Sequence, residues 1–368
     1  MLPPDALHQL HRGRGALSRR EALALLGAAG AMPLLSCAAP AAAPTSAPRS
    51  AGPSAAAQAT AAPAGGAPPP ATLEKMSFRL DFLPAGFHTP FFVAHEQGWY
   101  RDQGLDVEIG GSNGSSQAAT LVATGNATAA IVDGGAIVRA IASGQPIKCV
   151  ALCLAKTPLG YAVPDDVNVR TPKDLEGKTY GALTSGAAYQ LWPLFAATNG
   201  IDTSKITTVN LDAAGIVPAL LQRRVDFVDA IAGRLDLFMA EGGRPGRTLL
   251  LADYGIEYLG HGLVANVQTI REKPDLVRRF LEATRRGFEF TRTNPDDALE
   301  IFNKQGTNER PAAAEAALKA VIPLWASPWG AQTEPQWQKM IELVAATGNL
   351  ERTPAPADVF TAELLPRA

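Results

Sequence analysis

From Phe78 to Ile231 short apolar runs alternate with capped or amphipathic segments, and this rhythm constrains the fold more than any other feature of the chain. Phe78 to Phe82 reads as a strand, broken by Pro84 and Gly86, and Pro90 to Gly98 follows with helical character. Leu105 to Ile109 alternates with period two. Ser115 to Thr124 reads as a helix closing at Gly125, and Ala129 to Val132 as a third strand running into Asp133-Gly134-Gly135. A helix from Ala136 to Ala142 comes next. Strand, helix, strand order predicts an α/β fold with mainly parallel sheets and helices on their faces. Thr171 to Lys178 restarts the pattern with a Thr cap, Pro in the first turn and a Gly stop. Strands are then expected at Thr179–Leu183, Thr207–Leu211 and Val225–Ile231, with helices through Trp192 and from Ile216 to Arg223. Leu263 to Val267 reads as a further strand and Pro274 to Thr291 as a long amphipathic helix, with a helical remainder. A chain that leaves one lobe near Tyr161 and returns near Gly262 crosses twice. Two crossings suit a hinged, two-lobed clamp with its ligand between the lobes. The expected divisions are 73–163 with 262–368 for the first lobe and 164–261 for the second.

Residues 1–36 stand apart. They carry Arg12, Arg14, Arg19 and Arg20 ahead of an uncharged run from Ala22 to Leu35, the layout of an export signal. Ser18-Arg19-Arg20-Glu21-Ala22-Leu23 resembles the twin-arginine motif, with Ala22 where an aromatic is usual. Leu34-Leu35-Ser36-Cys37 resembles a bacterial lipobox, which implies that the Cys37 thiol is acylated and anchors the protein to a membrane. Residues 37–72 are almost wholly Ala, Pro, Ser, Thr and Gly, with Arg49 their only charge. Such a stretch buries too little apolar surface to offset its ordering entropy, so it reads as a Pro-stiffened tether.

The full chain of 368 residues has a formal charge of −2; removing the leader takes away four Arg and two acidic residues and leaves −4. A mildly acidic body argues against nucleic acid as a partner. Three Cys are too few for a disulfide scaffold, and five scattered His give no metal-binding cluster. Cys149 and Cys153, four apart in Ile147–Leu154, would lie about 13 Å apart on a strand and read as small core hydrophobes.

Leu80-Asp81-Phe82-Leu83-Pro84-Ala85-Gly86-Phe87-His88-Thr89-Pro90, the apolar helix to Gly98-Trp99-Tyr100, and Gly104-Leu105-Asp106-Val107 carry a family pattern. The run resembles the opening of the periplasmic solute-binding proteins for thiamine pyrimidine precursors, sulfonates, nitrate and taurine, a fold shared with the thiamine pyrimidine synthases. Thr171 to Gly177 resembles the helix that opens their second lobe. The resemblance implies a two-lobed type II periplasmic-binding-protein fold with two hinge crossings. It also implies an exported receptor, in the periplasm or on the outer face of the cytoplasmic membrane, that delivers a small molecule to an ABC importer permease. The receptor is expected to be a monomer without cofactor. The rival implied by the same fold is a synthase-like enzyme, whose Schiff-base Lys and substrate His lie after the third strand. Here that segment reads Ile131-Val132-Asp133-Gly134-Gly135-Ala136-Ile137, with neither residue.

In open α/β sheets ligands sit beyond the carboxyl ends of strands, facing loops and helix N-termini. That rule selects Asp81, Phe82, Pro84 and His88 after the first strand. It also selects Asp133, Gly134 and Gly135 after the third, where the glycines would let a ligand approach the backbone. In the second lobe it selects Ser185, Gly186 and Ala187, with Asp212, Gly215 and Asp229 at later strand ends. Phe82 and Trp192 offer rings that would stack on a flat ligand or fill the core. Two carboxylates in one cleft favour a ligand with donors or positive charge, such as an aminopyrimidine thiamine precursor or similar heteroaromatic. A sulfonate, nitrate or taurine held by helix N-termini is the alternative.

Overall fold

The computed structural model describes residues 72–366 apart from Ser185, Ala213 and Asn349. The expected leader, Cys37 and nearly all of the tether lie outside the described residues.

The strands are β1 (Glu74–Arg79), β2 (Leu105–Gly110), β3 (Ala129–Asp133), β4 (Ile147–Leu154), β5 (Leu159–Pro164), β6 (Thr179–Ala182), β7 (Thr207–Asn210), β8 (Phe227–Ile231), β9 (Gly246–Leu250), β10 (His261–Asn266) and β11 (Trp325–Gly330). They form two sheets, in the orders β11-β4-β10-β3-β1-β2 and β7-β6-β8-β5-β9. Each sheet has a parallel trio, β2-β1-β3 in the first and β7-β6-β8 in the second. In completing the sheets, β4 and β9 run with these trios, whereas β10 and β11 in one and β5 in the other run against them. Most strands of each sheet therefore point the same way, as expected, with an opposed minority that makes both sheets mixed. The reason is the double crossing, which brings the chain into each sheet from the opposite direction.

The first crossing joins β4 to β5 and the second joins β9 to β10. Residues 159–163, expected in the first lobe, lie in β5 of the second sheet, between β8 and β9. No turn signal separates Leu154 from Leu159 strongly enough to mark that change. β11 lies in the stretch expected to be helical, where Pro328 reads against a strand; as the outer member of its sheet β11 tolerates a residue without an N–H.

Burial explains the order. β3 and most of β4 are buried on both faces, as central strands covered by helices must be. β7 is exposed throughout and sits at an edge. In the first lobe Phe78 packs on Phe91 and Phe280, and Phe91 on Phe288, joining β1 to the helices Thr89–Glu96 and Pro274–Thr293. Those helices approach so closely that a Cβ at Gly287 would collide with the Pro90 carbonyl. In the second lobe Tyr161, Tyr180, Trp192, Phe195 and Phe227 form one aromatic cluster. Cys149 and Cys153 are free and buried in β4, and burial pushes both thiols well above their ordinary pKa.

Candidate functional site

β1 ends at Arg79, so Asp81 and Phe82 lie beyond the strand, correcting the expectation that they close it. Leu80 still donates its N–H to Gly110, after which the chain turns into a short 3-10 segment, Gly86–His88. The turn brings Asp81 beneath two imidazoles. Its Oδ1 lies 2.7 Å from Nε2 of His88 and its Oδ2 lies 3.0 Å from Nε2 of His261, at the start of β10. Burial alone would raise the Asp81 pKa; the charge and hydrogen bond of His261 and the hydrogen bond of His88 outweigh it and hold the carboxyl well below the usual range. Asp81 is therefore an anion that only accepts, and both Nε2 atoms donate to it.

This fixes the imidazoles. The Nδ1 of His88 accepts the Ala85 N–H at 3.1 Å, so His88 is a neutral Nε2–H tautomer with both nitrogens used, and it is fully buried. It orients Asp81 and has no atom left for a ligand, which corrects its expected role as a contact. Burial lowers the pKa of His261, but the Asp81 charge, their hydrogen bond and the nearby Asp133 charge together raise it.

Asp133 ends β3 and caps the helix Gly134–Ala142: its Oδ1 accepts from Gly135 N at 3.0 Å and Ala136 N at 3.2 Å. Tyr258 donates its hydroxyl to the same Oδ1 at 3.0 Å. The two glycines serve this packing. A Cβ on Gly135 would collide with the Tyr258 hydroxyl, and one on Gly134 would press on the carbonyls of Leu259 and Gly260. The space expected to admit a ligand to the Gly134-Gly135 backbone is thus filled by residues 258–260. Phe82 and Leu83, on the neighbouring strand end, are 44% and 61% exposed and form an apolar rim, with Pro84 half-buried behind them.

The second lobe's candidates are placed differently. Asp229 lies inside β8 and not at its end, accepting the Tyr180 hydroxyl and, at 2.5 Å, the Leu183 N–H. Burial raises its pKa to about 6 despite both bonds. Trp192 is 7% exposed and its ring is enclosed by the aromatic cluster, so it serves the core. Gly186 donates its N–H to the Leu183 carbonyl and Ala187 starts the helix Ala187–Thr198. Ser185 lies outside the described residues. Asp212 is exposed and closes its own turn by accepting the Gly215 N–H at 2.7 Å.

Four residues outside the expected set complete the region. His261 was legible only as a polar residue between two glycines, and Tyr258 only as part of the same turn. Glu309 accepts the Gly86 N–H at 2.5 Å through Oε2, while its Oε1 lies 3.6 Å from Nε of Arg234 on the helix Arg234–Glu241. It ties the loop after β1 to the second lobe, and no sequence pattern marks it. Surface hollows lined by Gln103, Arg279 and Leu364, and by Lys148, Ile270 and Phe360, open near the N-terminal ends of β2 and β4, away from these carboxylates.

Two mixed sheets joined by two crossings, with buried polar groups at the strand ends of the first, define the periplasmic-binding-protein fold. The aliphatic sulphonate binding protein SsuA from Escherichia coli shares it with a TM-score of 0.67, covering 81% of this chain and 95% of that one at 13% identity. The chain belongs to the NMT1/THI5-like family, whose model matches residues 86–298, more than half its length. It is 27% identical to the riboflavin-binding protein RibY of Chloroflexus aurantiacus over 83% of this chain and 90% of that one. It is 23% identical to the formylaminopyrimidine-binding protein of Halalkalibacterium halodurans over 78% and 90%. Synthases of 4-amino-5-hydroxymethyl-2-methylpyrimidine phosphate match over a smaller share, 62% of this chain.

Proposed function

We infer that this chain is the extracytoplasmic solute-binding component of an ABC importer, capturing a small nitrogen heteroaromatic between its lobes and passing it to a permease. The favoured ligand is a pyrimidine thiamine precursor or a similar ring. The observation that carries this reading is the first-lobe strand-end arrangement: the buried Asp133 ends β3, and beyond the end of its neighbour β1 Phe82 offers an exposed ring. A carboxylate floor with an aromatic rim suits a flat ligand bearing N–H donors better than an oxyanion. The relatives that cover most of the chain support the binding-protein class over the synthase class. The twin-arginine-like leader, the lipobox at Cys37 and the tether of residues 37–72 would hold such a receptor, as a monomer, beside its permease at the outer face of the cytoplasmic membrane.

Native mass spectrometry of the full chain tests this against hydroxymethylpyrimidine, its formylamino analogue, thiamine, riboflavin, taurine and nitrate. One-to-one retention of a pyrimidine or flavin supports it. Retention of taurine or nitrate alone overturns the ligand class, and a covalent pyridoxal phosphate adduct would point to the synthase reading.

A further inference from the structure

Among the buried polar atoms without a hydrogen-bond partner in the described residues are Oδ2 of Asp133 and Nδ1 of His261, at facing positions of β3 and β10. Their residues are 4% and 6% exposed, so leaving either atom unmet carries a desolvation penalty. They are also neighbours. His261 pairs directly with Asp133 across the antiparallel β10–β3 ladder, and Gly134 N donates to Gly260 O, which makes this a non-hydrogen-bonded pair. Side chains of such a pair stand on the same face with their Cβ atoms about 5 Å apart. The other atoms of both side chains are committed. Asp133 Oδ1 caps the helix and receives Tyr258, while His261 Nε2 is held by Asp81.

We propose that Asp133 Oδ2 and His261 Nδ1 form a two-point subsite for the donor–acceptor edge of a nitrogen heterocycle, an N–H beside a ring nitrogen or carbonyl. The ligand's N–H donates to Asp133. Its neighbouring acceptor receives the Nδ1–H of protonated His261. The edge is common to 4-aminopyrimidines and to the imide of a flavin, whereas nitrate and sulfonate groups lack the donor. This deepens the ligand assignment above and rests on it.

The groups surrounding His261 favour its protonated form. Asp81 faces it from the loop after β1 and Asp133 from β3, with neutral His88 behind the first, and Tyr258 and Arg139 behind the second. The two carboxylates raise the pKa of His261 above its ordinary 6.5. Heterocycle affinity should therefore fall as pH rises through the raised His261 pKa, as Nδ1 turns from donor to acceptor.

Calorimetric titration of the full chain tests the subsite with three probes: 4-amino-5-hydroxymethyl-2-methylpyrimidine, its N4,N4-dimethyl analogue and riboflavin, across about pH 5 to 8. The dimethyl analogue, which cannot donate, should bind at least about tenfold more weakly than the parent. Asp133→Asn, which keeps the helix cap, should cost the parent a similar factor. His261→Gln, whose amide can still donate to Asp81, should remove the pH dependence, a readout that a purely structural role would not move. Equal affinities for parent and dimethyl analogue, or an unchanged pH profile in H261Q, would overturn the subsite while leaving the receptor reading intact. Failure of both heterocycles to bind the wild type, with taurine or nitrate bound, would overturn the subsite and the ligand assignment together.

Discussion

Asp81, just beyond β1 in the first lobe, and Asp229, in the middle of β8 in the second, are both buried carboxylates, yet their pKa values move in opposite directions. Asp81 is held by two imidazoles and stays charged, whereas Asp229 has only a phenol and one amide and is raised to about 6. Burial penalises both anions; what differs is whether a neighbouring cation can offset it. The lesson is that a buried carboxylate in or beside a strand is not thereby a ligand contact. Asp229 has both oxygens engaged by protein donors and supports its lobe, and in the first lobe the spare acceptor belongs to Asp133.

The largest effect should come from breaking the imidazole-bound carboxylate. Asp81→Ala leaves two buried N–H donors unmet and should cost about 3–5 kcal/mol in urea unfolding. A cost below about 1 kcal/mol would show that His88 and His261 do not depend on Asp81. Trp192→Ala removes the centre of the second-lobe cluster and should also cost about 3–5 kcal/mol. Because this ring serves the core, chemical shifts of ligand bound at the first-lobe strand ends should stay unchanged.

The opposite titrations set a pH profile. Asp229 binds its proton more tightly when folded, at about 6 against 3.8 for the ordinary side chain, so its stabilising contribution is present below the ordinary value and lost as pH rises through about 6. The loss should be about 2 kcal/mol between pH 4 and 7. Asp81 works the other way: its contribution is present above 3.8 and is lost as pH falls below it. Chemical unfolding followed against pH should therefore peak in mildly acidic solution, and removal of the carboxylate in Asp229→Asn should flatten the limb on the basic side.

Glu309→Ala, which strips the acceptor from Gly86 N, should cost about 1–2 kcal/mol. The smallest effect on stability is expected at the rim. Phe82 is 44% exposed, so Phe82→Ala should change unfolding by no more than about 0.5 kcal/mol. Its effect on heterocycle affinity should be about tenfold, the worth of one lost aromatic stack. Equal losses from Phe82→Ala and Trp192→Ala in both assays would erase the contrast between the lobes.

Much of this architecture was legible because it rests on local rules. The periodicity of Leu105–Ile109, the Asp133-Gly134-Gly135 cap and the Thr171–Gly177 restart each specify an element within a few residues. The site was legible in part. Asp81 and Asp133 are selected in the sequence by their places after strands, but their hydrogen-bond partners come from far along the chain. His261 lies 180 residues from Asp81, and Glu309 lies 223 residues from Gly86. Nothing near His88 in sequence shows that both its nitrogens are engaged, or that Tyr258 takes the space beside Gly135. The β5 boundary failed for a related reason, since the sheet a strand joins is decided by tertiary pairing.

The central claim, that ligand is held at the strand ends of the first lobe, is tested most directly by hydrogen exchange with and without the retained heterocycle. Peptides covering residues 81–88, 131–136 and 258–263 should exchange more slowly with ligand, while those covering 101–105 and 278–282 stay unchanged. Protection confined to the Gln103–Arg279 hollow, with the strand ends indifferent, would contradict the account.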